Sequence, residues 1–91
     1  MAHFVYILQS SVNGRFYIGS TDNPERRIIE HNSGNTKSTR PYRPWRIVFL
    51  HEFELPTDGS NAERKLKALK NRKILENIIN GSTTIDSVMK W

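Results

Sequence analysis

Five side chains of this sequence suit chemistry at a phosphate: Tyr6, Tyr17, Arg27, His31 and Glu63. A guanidinium is always charged and forks onto phosphate oxygens, so Arg27 suits the relief of negative charge. His31 follows four residues later, on the same face if the segment is helical. An imidazole there can hold a phosphate or a tyrosine hydroxyl, or carry a proton; in the last turn of a helix it is also favoured by the dipole alone. Arg27 has a plainer use as well, a surface ion pair with Glu25 or Glu30. Tyr6 and Tyr17 each offer a phenol, a poor base at neutral pH unless a cation or a metal-bound hydroxide assists it. Core packing is the ordinary use of either ring. Glu63 can give one hard oxygen ligand to a divalent ion such as Mg2+, which keeps most of its waters. Ser60-x-x-Glu63 also reads as a capping box, with the carboxylate serving helix amides instead.

The elements that must position these groups follow from local pattern. Residues 3–9 and 15–20 are short runs rich in aromatic and branched side chains, separated by Asn13-Gly14. Both turn residues accept positive φ, which predicts two antiparallel strands and a tight turn. A turn centred there sets position 6 near position 21 and position 17 near position 10, so the two rings share a site only if register and twist cooperate. Asp22-Asn23-Pro24-Glu25 combines an Asx cap, a first-turn proline and an acid at the positive end of the dipole. The helix it opens is expected over about 24–32, ending near Gly34, with Ile28 and Ile29 toward the sheet. Residues 33–44 lack periodicity and form a loop. Residues 45–55 read as a third strand, with Trp45, Ile47 and Phe49 alternating against Arg46, Val48 and Leu50. Pro56 to Gly59 turns the chain, and a helix from Ser60 repeats Ala62, Leu66 and Leu69 on one face. A second helix over about 72–80 carries Ile74, Leu75, Ile78 and Ile79. The order is ββαβαα, an α+β domain with a small three-stranded antiparallel sheet flanked by helices. Residues 1–81 make that domain; 82–91 form a tail, either mobile or docked through Ile85, Val88, Met89 and Trp91.

Ninety-one residues allow one domain, and a 36% hydrophobic share with four Phe, three Tyr and two Trp suffices for its core. The absence of Cys excludes disulfides, thiolate zinc sites and a cysteine nucleophile, and fits the cytoplasm. No apolar run approaches the roughly 18–20 residues that span a bilayer, and no basic leader marks a signal peptide. His3 and His51 read as structural, since the three histidines match no zinc-ligand spacing. The net charge of +5 is segregated. Residues 36–46 hold Lys37, Arg40, Arg43 and Arg46 without an acid, and residues 64–73 hold six more cations, again without an acid. Those stretches carry ten of the fourteen basic residues and leave the remainder net negative. Such segregation points to a polyanion, against the plainer reading of two solvated faces. In the first stretch Tyr42 and Trp45 interleave with the cations, where an exposed ring can stack on an unpaired base, although Trp45 begins the third strand and suits core burial better. Lys67, one turn beyond Glu63, reads as a phosphate contact, and Lys70 continues the positive surface. Nothing resembles a module that reads base edges.

Phe4-Val5-Tyr6, ten intervening residues and Tyr17-Ile18-Gly19 resemble the paired signature of GIY-YIG endonucleases. Arg27 eight positions after Gly19, His31 four later and Glu63 near the start of the helix after the third strand complete the family's ordered set. The similarity covers about residues 3–80 and is greatest to small stand-alone bacterial members. It departs in Phe4 and Val5 for the first Gly and Ile, and in Ser20, where some relatives carry a basic residue. The resemblance implies hydrolysis of DNA phosphodiester bonds with Mg2+ or Mn2+ on Glu63. Tyr6 or Tyr17 would orient or deprotonate water, Arg27 would stabilise the phosphate and His31 would assist. Relatives often add a late Asn, for which Asn71, Asn77 and Asn80 are candidates. Many relatives also carry a separate DNA-binding domain, so a chain of this size would need a targeting protein partner for site choice. A catalytically silent nucleic-acid-binding module and a protein-interaction scaffold using the tail are the alternatives.

Overall fold

In the computed structural model, which describes residues 2–90, β1 (His3–Ser10) lies between β2 (Phe16–Thr21) and β3 (Trp45–Phe53), antiparallel to both. The β1–β2 connection is longer than an Asn-Gly turn. Ser10 pairs with Arg15 through its amide (2.9 Å), and four residues intervene. The Ser10 hydroxyl accepts the amides of Val12 and Asn13, holding this wider loop, and Gly14 closes it at φ +76°. Pairing therefore shifts by two from the expected register: Tyr6 faces Gly19, and Leu8 faces Tyr17. A two-residue shift preserves faces, so Tyr6 and Tyr17 become diagonal neighbours on one side of the sheet.

A bulge changes β3 more. Leu8 opposes Ile47 while Ile7 opposes Phe49, leaving Val48 as the extra residue. The simple alternation of the third strand is thereby broken. Ile47 and Leu50 lie on the Tyr6 face, and Phe49 packs on the opposite one.

Three further helices follow the first: α1 (Pro24–Asn32), α2 (Pro56–Leu69), α3 (Arg72–Ile79) and α4 (Ile85–Met89) complete the α+β architecture. One sheet face, through Val5, Ile7 and Ile18, buries Ala62 and Leu66 of α2, Leu75 and Ile78 of α3, and Ile85 and Val88 of α4. The other face packs Tyr6, Leu8 and Trp45 with Tyr17, Ile28 and Tyr42. Asn23 caps α1 by accepting the Arg26 amide. Ile28 faces inward, but Ile29 is 64% exposed, because adjacent helix positions diverge and His31 takes the second inward place. Pro56 starts α2 four residues earlier than expected, so Thr57, Asp58 and Gly59 are helical rather than a turn. Gly59 has no room for a side chain, since a Cβ there would meet the His3 ring.

Within residues 82–91, α4 is capped by Thr84, and Ile85 and Val88 are buried with the rest of the core. Burying two such residues contributes on the order of 1.5–3 kcal/mol each. Trp91 lies outside the described residues. Among the described residues, no helix is long and apolar enough to cross a membrane.

Candidate active site

Tyr6 and His31 meet in the interior. Tyr6 is 2% exposed and His31 fully buried, with the Tyr6 hydroxyl 3.1 Å from His31 Nε2. His31 Nδ1 lies 2.9 Å from the Thr39 hydroxyl, which in turn donates to the Thr36 carbonyl. A carbonyl can only accept, so the chain of donors is ordered: Thr39 gives its proton to Thr36 and accepts Nδ1–H, and Nε2 accepts the Tyr6 hydroxyl. The helix-dipole reading of His31 is thus replaced by a wired, neutral imidazole. Burial, with the Arg27 charge beside it, lowers the His31 pKa to about 4. Burial likewise pushes the Tyr6 phenol up, opposed by the Arg27 guanidinium. Gly19 stands across from Tyr6 because any Cβ there would collide with the tyrosine's hydroxyl.

Tyr17 is placed differently. Its ring is 6.4 Å from that of Tyr6 and 4.9 Å from His31, edge-on, but it is only partly buried. Its hydroxyl has no hydrogen bond with another described residue. On the far side, Lys67 Nζ sits 6.0 Å from the Tyr17 ring centroid. Lys67 also pairs with Glu63 Oε2 at 2.7 Å, and Ser20 donates to Glu63 Oε1. Glu63 therefore reaches the open edge of β2 from the α2 side, while Tyr6, Tyr17 and His31 approach from the other. Arg27 joins them beside Tyr6 and pairs with Glu30 at 3.1 Å, leaving its side chain 31% exposed.

The early start of α2 settles what Glu63 is not. It is the eighth residue of the helix, beyond the free amides of the first turn, so it caps nothing. Burial raises its carboxyl, but the hydrogen bonds from Lys67 and Ser20 and the charge of Lys67 outweigh this and hold it below the usual value. An ionised, partly exposed single carboxylate fits a divalent ion that retains most of its waters. Among the described residues, no three His, Cys, Asp or Glu side chains gather as a closed metal cage. Thr39 escaped the sequence reading of the site, and Ser20 entered it only as a departure from the family pattern; each is a small hydroxyl whose partner becomes visible only once the chain is folded.

The basic residues divide. Arg40 Nε donates to the Gly34 carbonyl, Arg43 Nε to the Arg40 carbonyl, and Arg46 to Gln9 Oε1. Trp45 has the core burial expected at the start of the third strand: it is 5% exposed and donates to the Thr39 carbonyl. Lys37 stays exposed. Lys67 and Lys70 line a cleft that also contains Asn71; of the three late asparagines, only this one borders it, and its side chain caps α3.

Residues 2–77 match the model of the GIY-YIG catalytic domain, and the chain belongs to the GIY-YIG family. It is 36% identical over 75 residues to a UPF0213 protein of Enterococcus faecalis, covering 79% of this chain and 84% of that one. A UPF0213 protein of Natronomonas pharaonis is 35% identical over 72 residues, 78% of this chain and 84% of the other. The solution NMR structure of a UPF0213 protein from Bacillus halodurans superposes with a TM-score of 0.55 at 35% identity, covering 86% of this chain and 83% of that one. A shorter match, 45% identical over 53 residues, is to the structure-specific endonuclease subunit slx1 of Aspergillus terreus; it spans 52% of this chain and 14% of that protein.

Proposed function

We propose that this chain is a divalent-metal-dependent endonuclease that hydrolyses DNA phosphodiester bonds, with Tyr6, Tyr17, Arg27, His31 and Glu63 as its machinery. The observation that carries the reading is the position of Glu63. It is an ionised carboxylate on the third turn of α2, with no capping work, turned to the strand edge where Tyr17 stands. Glu63 would hold Mg2+ or Mn2+, which when bound supplies charge neutralisation at the phosphate and an acidified water.

The two phenols take different tasks. Tyr6 keeps its proton on the way to His31 and, with a raised pKa and a neutral acceptor, fixes the floor of the site. Tyr17, whose hydroxyl bonds to no other described residue, orients the attacking water. Arg27 is adjacent, partly exposed and permanently charged, and receives a phosphate oxygen as charge grows. Lys67 pairs with Glu63 at 2.7 Å, and its ammonium would turn to the phosphate backbone where Glu63 served as a metal ligand instead. Of the remaining basic side chains, Lys37 and Lys70 are offered to nucleic acid, whereas Arg40, Arg43 and Arg46 are engaged by acceptors within the fold.

The test is cleavage of labelled duplex, forked and flapped DNA in Mg2+ and in Mn2+ by the protein and by Glu63→Gln and Arg27→Ala. Loss of cutting in both variants, with amide NMR spectra of a folded protein, is the expected result. Wild-type rates in both variants overturn the mechanism, and binding without cutting by the unmodified protein makes it a binding module instead.

A further inference from the structure

We propose that the cleft between the start of β2 and the α2–α3 elbow is a nucleotide subsite, holding one unpaired nucleotide of a DNA strand beside the scissile phosphate. The inference rests on the reading of Glu63 as the reactive centre, because Lys67 belongs to both places: it pairs with Glu63 and lines this cleft. The cleft is open to solvent and offers about 390 Å³, room for one nucleotide laid along it. Its floor is apolar, made by Ile18, Leu66 and Leu75, and its rim is cationic, with no acid among the lining residues. A free anion needs only the rim. A nucleotide uses both, its phosphate on the ammonium groups and its sugar and base over the floor.

Two details set this rim apart from an ordinary basic surface. Arg72 is fixed: its guanidinium lies 4.2 Å from the Phe16 ring centroid, donates to the Gly14 carbonyl at 3.1 Å and pairs with Glu76 at 3.3 Å. It forms a rigid wall with Phe16, against which a base can stack. Lys70, the residue that ends α2, has φ +48°, the left-handed conformation that glycine adopts without penalty at a helix C-terminus. A lysine there carries a backbone cost, and its side chain lines the cleft without an ion pair to any described residue. Lys67 and Lys70 therefore bind successive positions of one strand, and Phe16 and Arg72 confine the nucleotide between them.

The experiment is a two-dimensional amide NMR titration of the whole protein with the tetranucleotide dT4, without metal, repeated with inorganic phosphate. The expected result is saturable shifts centred on Phe16, Ile18, Lys70, Asn71 and Leu75. Lys70→Gly is the decisive variant, because glycine relieves the backbone and the fold is retained or strengthened. It should weaken dT4 binding at least fivefold and reduce the salt slope by about 0.7, the value for one phosphate contact on a single strand. Unchanged dT4 affinity in Lys70→Gly overturns the subsite, as do shifts confined to residues 37–46. So does inorganic phosphate producing the same shifts at the same affinity, which would leave an anion site only. Turnover is not read here: Glu63→Gln should retain the dT4 shifts. Cleft binding by a protein that never cuts would defeat the proposed function and leave the subsite standing.

Discussion

The loop over residues 33–44, with Arg46 just beyond it, and residues 64–73 at the α2–α3 junction are alike in the sequence, each a run of cations without an acid. Folded, they have opposite uses. In the loop, Arg40 and Arg43 turn their Nε donors onto backbone carbonyls, and Thr39 joins the loop to His31 and Trp45. In residues 64–73, Lys67 and Lys70 line a cleft, and Lys67 pairs with Glu63 one turn before it. The difference teaches that charge density alone does not separate a cation that closes its own loop from one offered to a ligand. The loop side should respond to mutation in stability, the helix side in binding and turnover.

The largest effect belongs to the helix side. Glu63→Gln should lower the cleavage rate by about 10³-fold, the scale for removing one preorganised electrostatic group. The urea midpoint should move by less than the equivalent of about 1 kcal/mol, since the Lys67 ammonium of the lost pair is half exposed and the substituted glutamine keeps an oxygen for Ser20. A variant that unfolds while the loop variants below do not would reverse the comparison.

Next comes acid sensitivity, which resides on the loop side. The folded state binds a proton on His31 only near pH 4, whereas an unfolded histidine does so near 6.5. Below about pH 6.5 the unfolded state gains protons that the folded state refuses, so stability falls as the pH drops from 6.5 to 4 and is unaffected by this group above. The full loss is roughly 3 kcal/mol at about 1.4 kcal/mol per pKa unit. Urea unfolding at pH 7.5 and pH 4.5 measures it. His31→Gln should be less stable at pH 7.5 but lose most of that pH dependence; an unchanged slope would show that His31 is not the titrating group.

These contrasts indicate which features were local enough to read. The start of α1 was legible because Asn23, Pro24 and Glu25 act within one turn. The element order through α3 was legible from local pattern, while the company of Tyr6, Tyr17, Arg27 and His31 came from the resemblance to the GIY-YIG signature, since spacing alone left it open. Register was not: the Ser10 hydroxyl lengthens the hairpin loop, and nothing in Asn13-Gly14 shows it. The bulge at Val48 was hidden because a period-two pattern has no mark for an inserted residue. Ser60-x-x-Glu63 has the letters of a capping box, yet Pro56 begins the helix one turn earlier and makes the spacing incidental. The supporting roles of Ser20 and Thr39 were hidden because a hydroxyl gains its role from a partner, here 43 and eight residues away in the chain.

Ser20 gives the third prediction. Removing its hydrogen bond leaves Glu63 Oε1 without that support and raises the carboxyl toward its ordinary value. Ser20→Ala should weaken Mn2+ binding about tenfold, at the low end for a residue that supports a metal ligand. Paramagnetic broadening of amide signals near Glu63 measures it. Equal broadening in both proteins would mean that Ser20 acts in packing alone.

The smallest effect is the sharpest test of the two regions. Arg40→Ala removes a 2.7 Å hydrogen bond from a charged donor to the Gly34 carbonyl, at the point where the chain leaves α1. The expected cost is about 1–2 kcal/mol in urea unfolding, as for hydrogen bonds from charged groups. The salt slope of dT4 binding should stay within error of the unmodified protein, because Arg40 Nε is already engaged by the loop. Lys37→Ala supplies the internal control, since this exposed lysine in the same loop should leave stability unchanged. Should Arg40→Ala instead leave stability intact and lower the slope, its guanidinium contacts phosphate. The loop would then join the helix side as one continuous binding face.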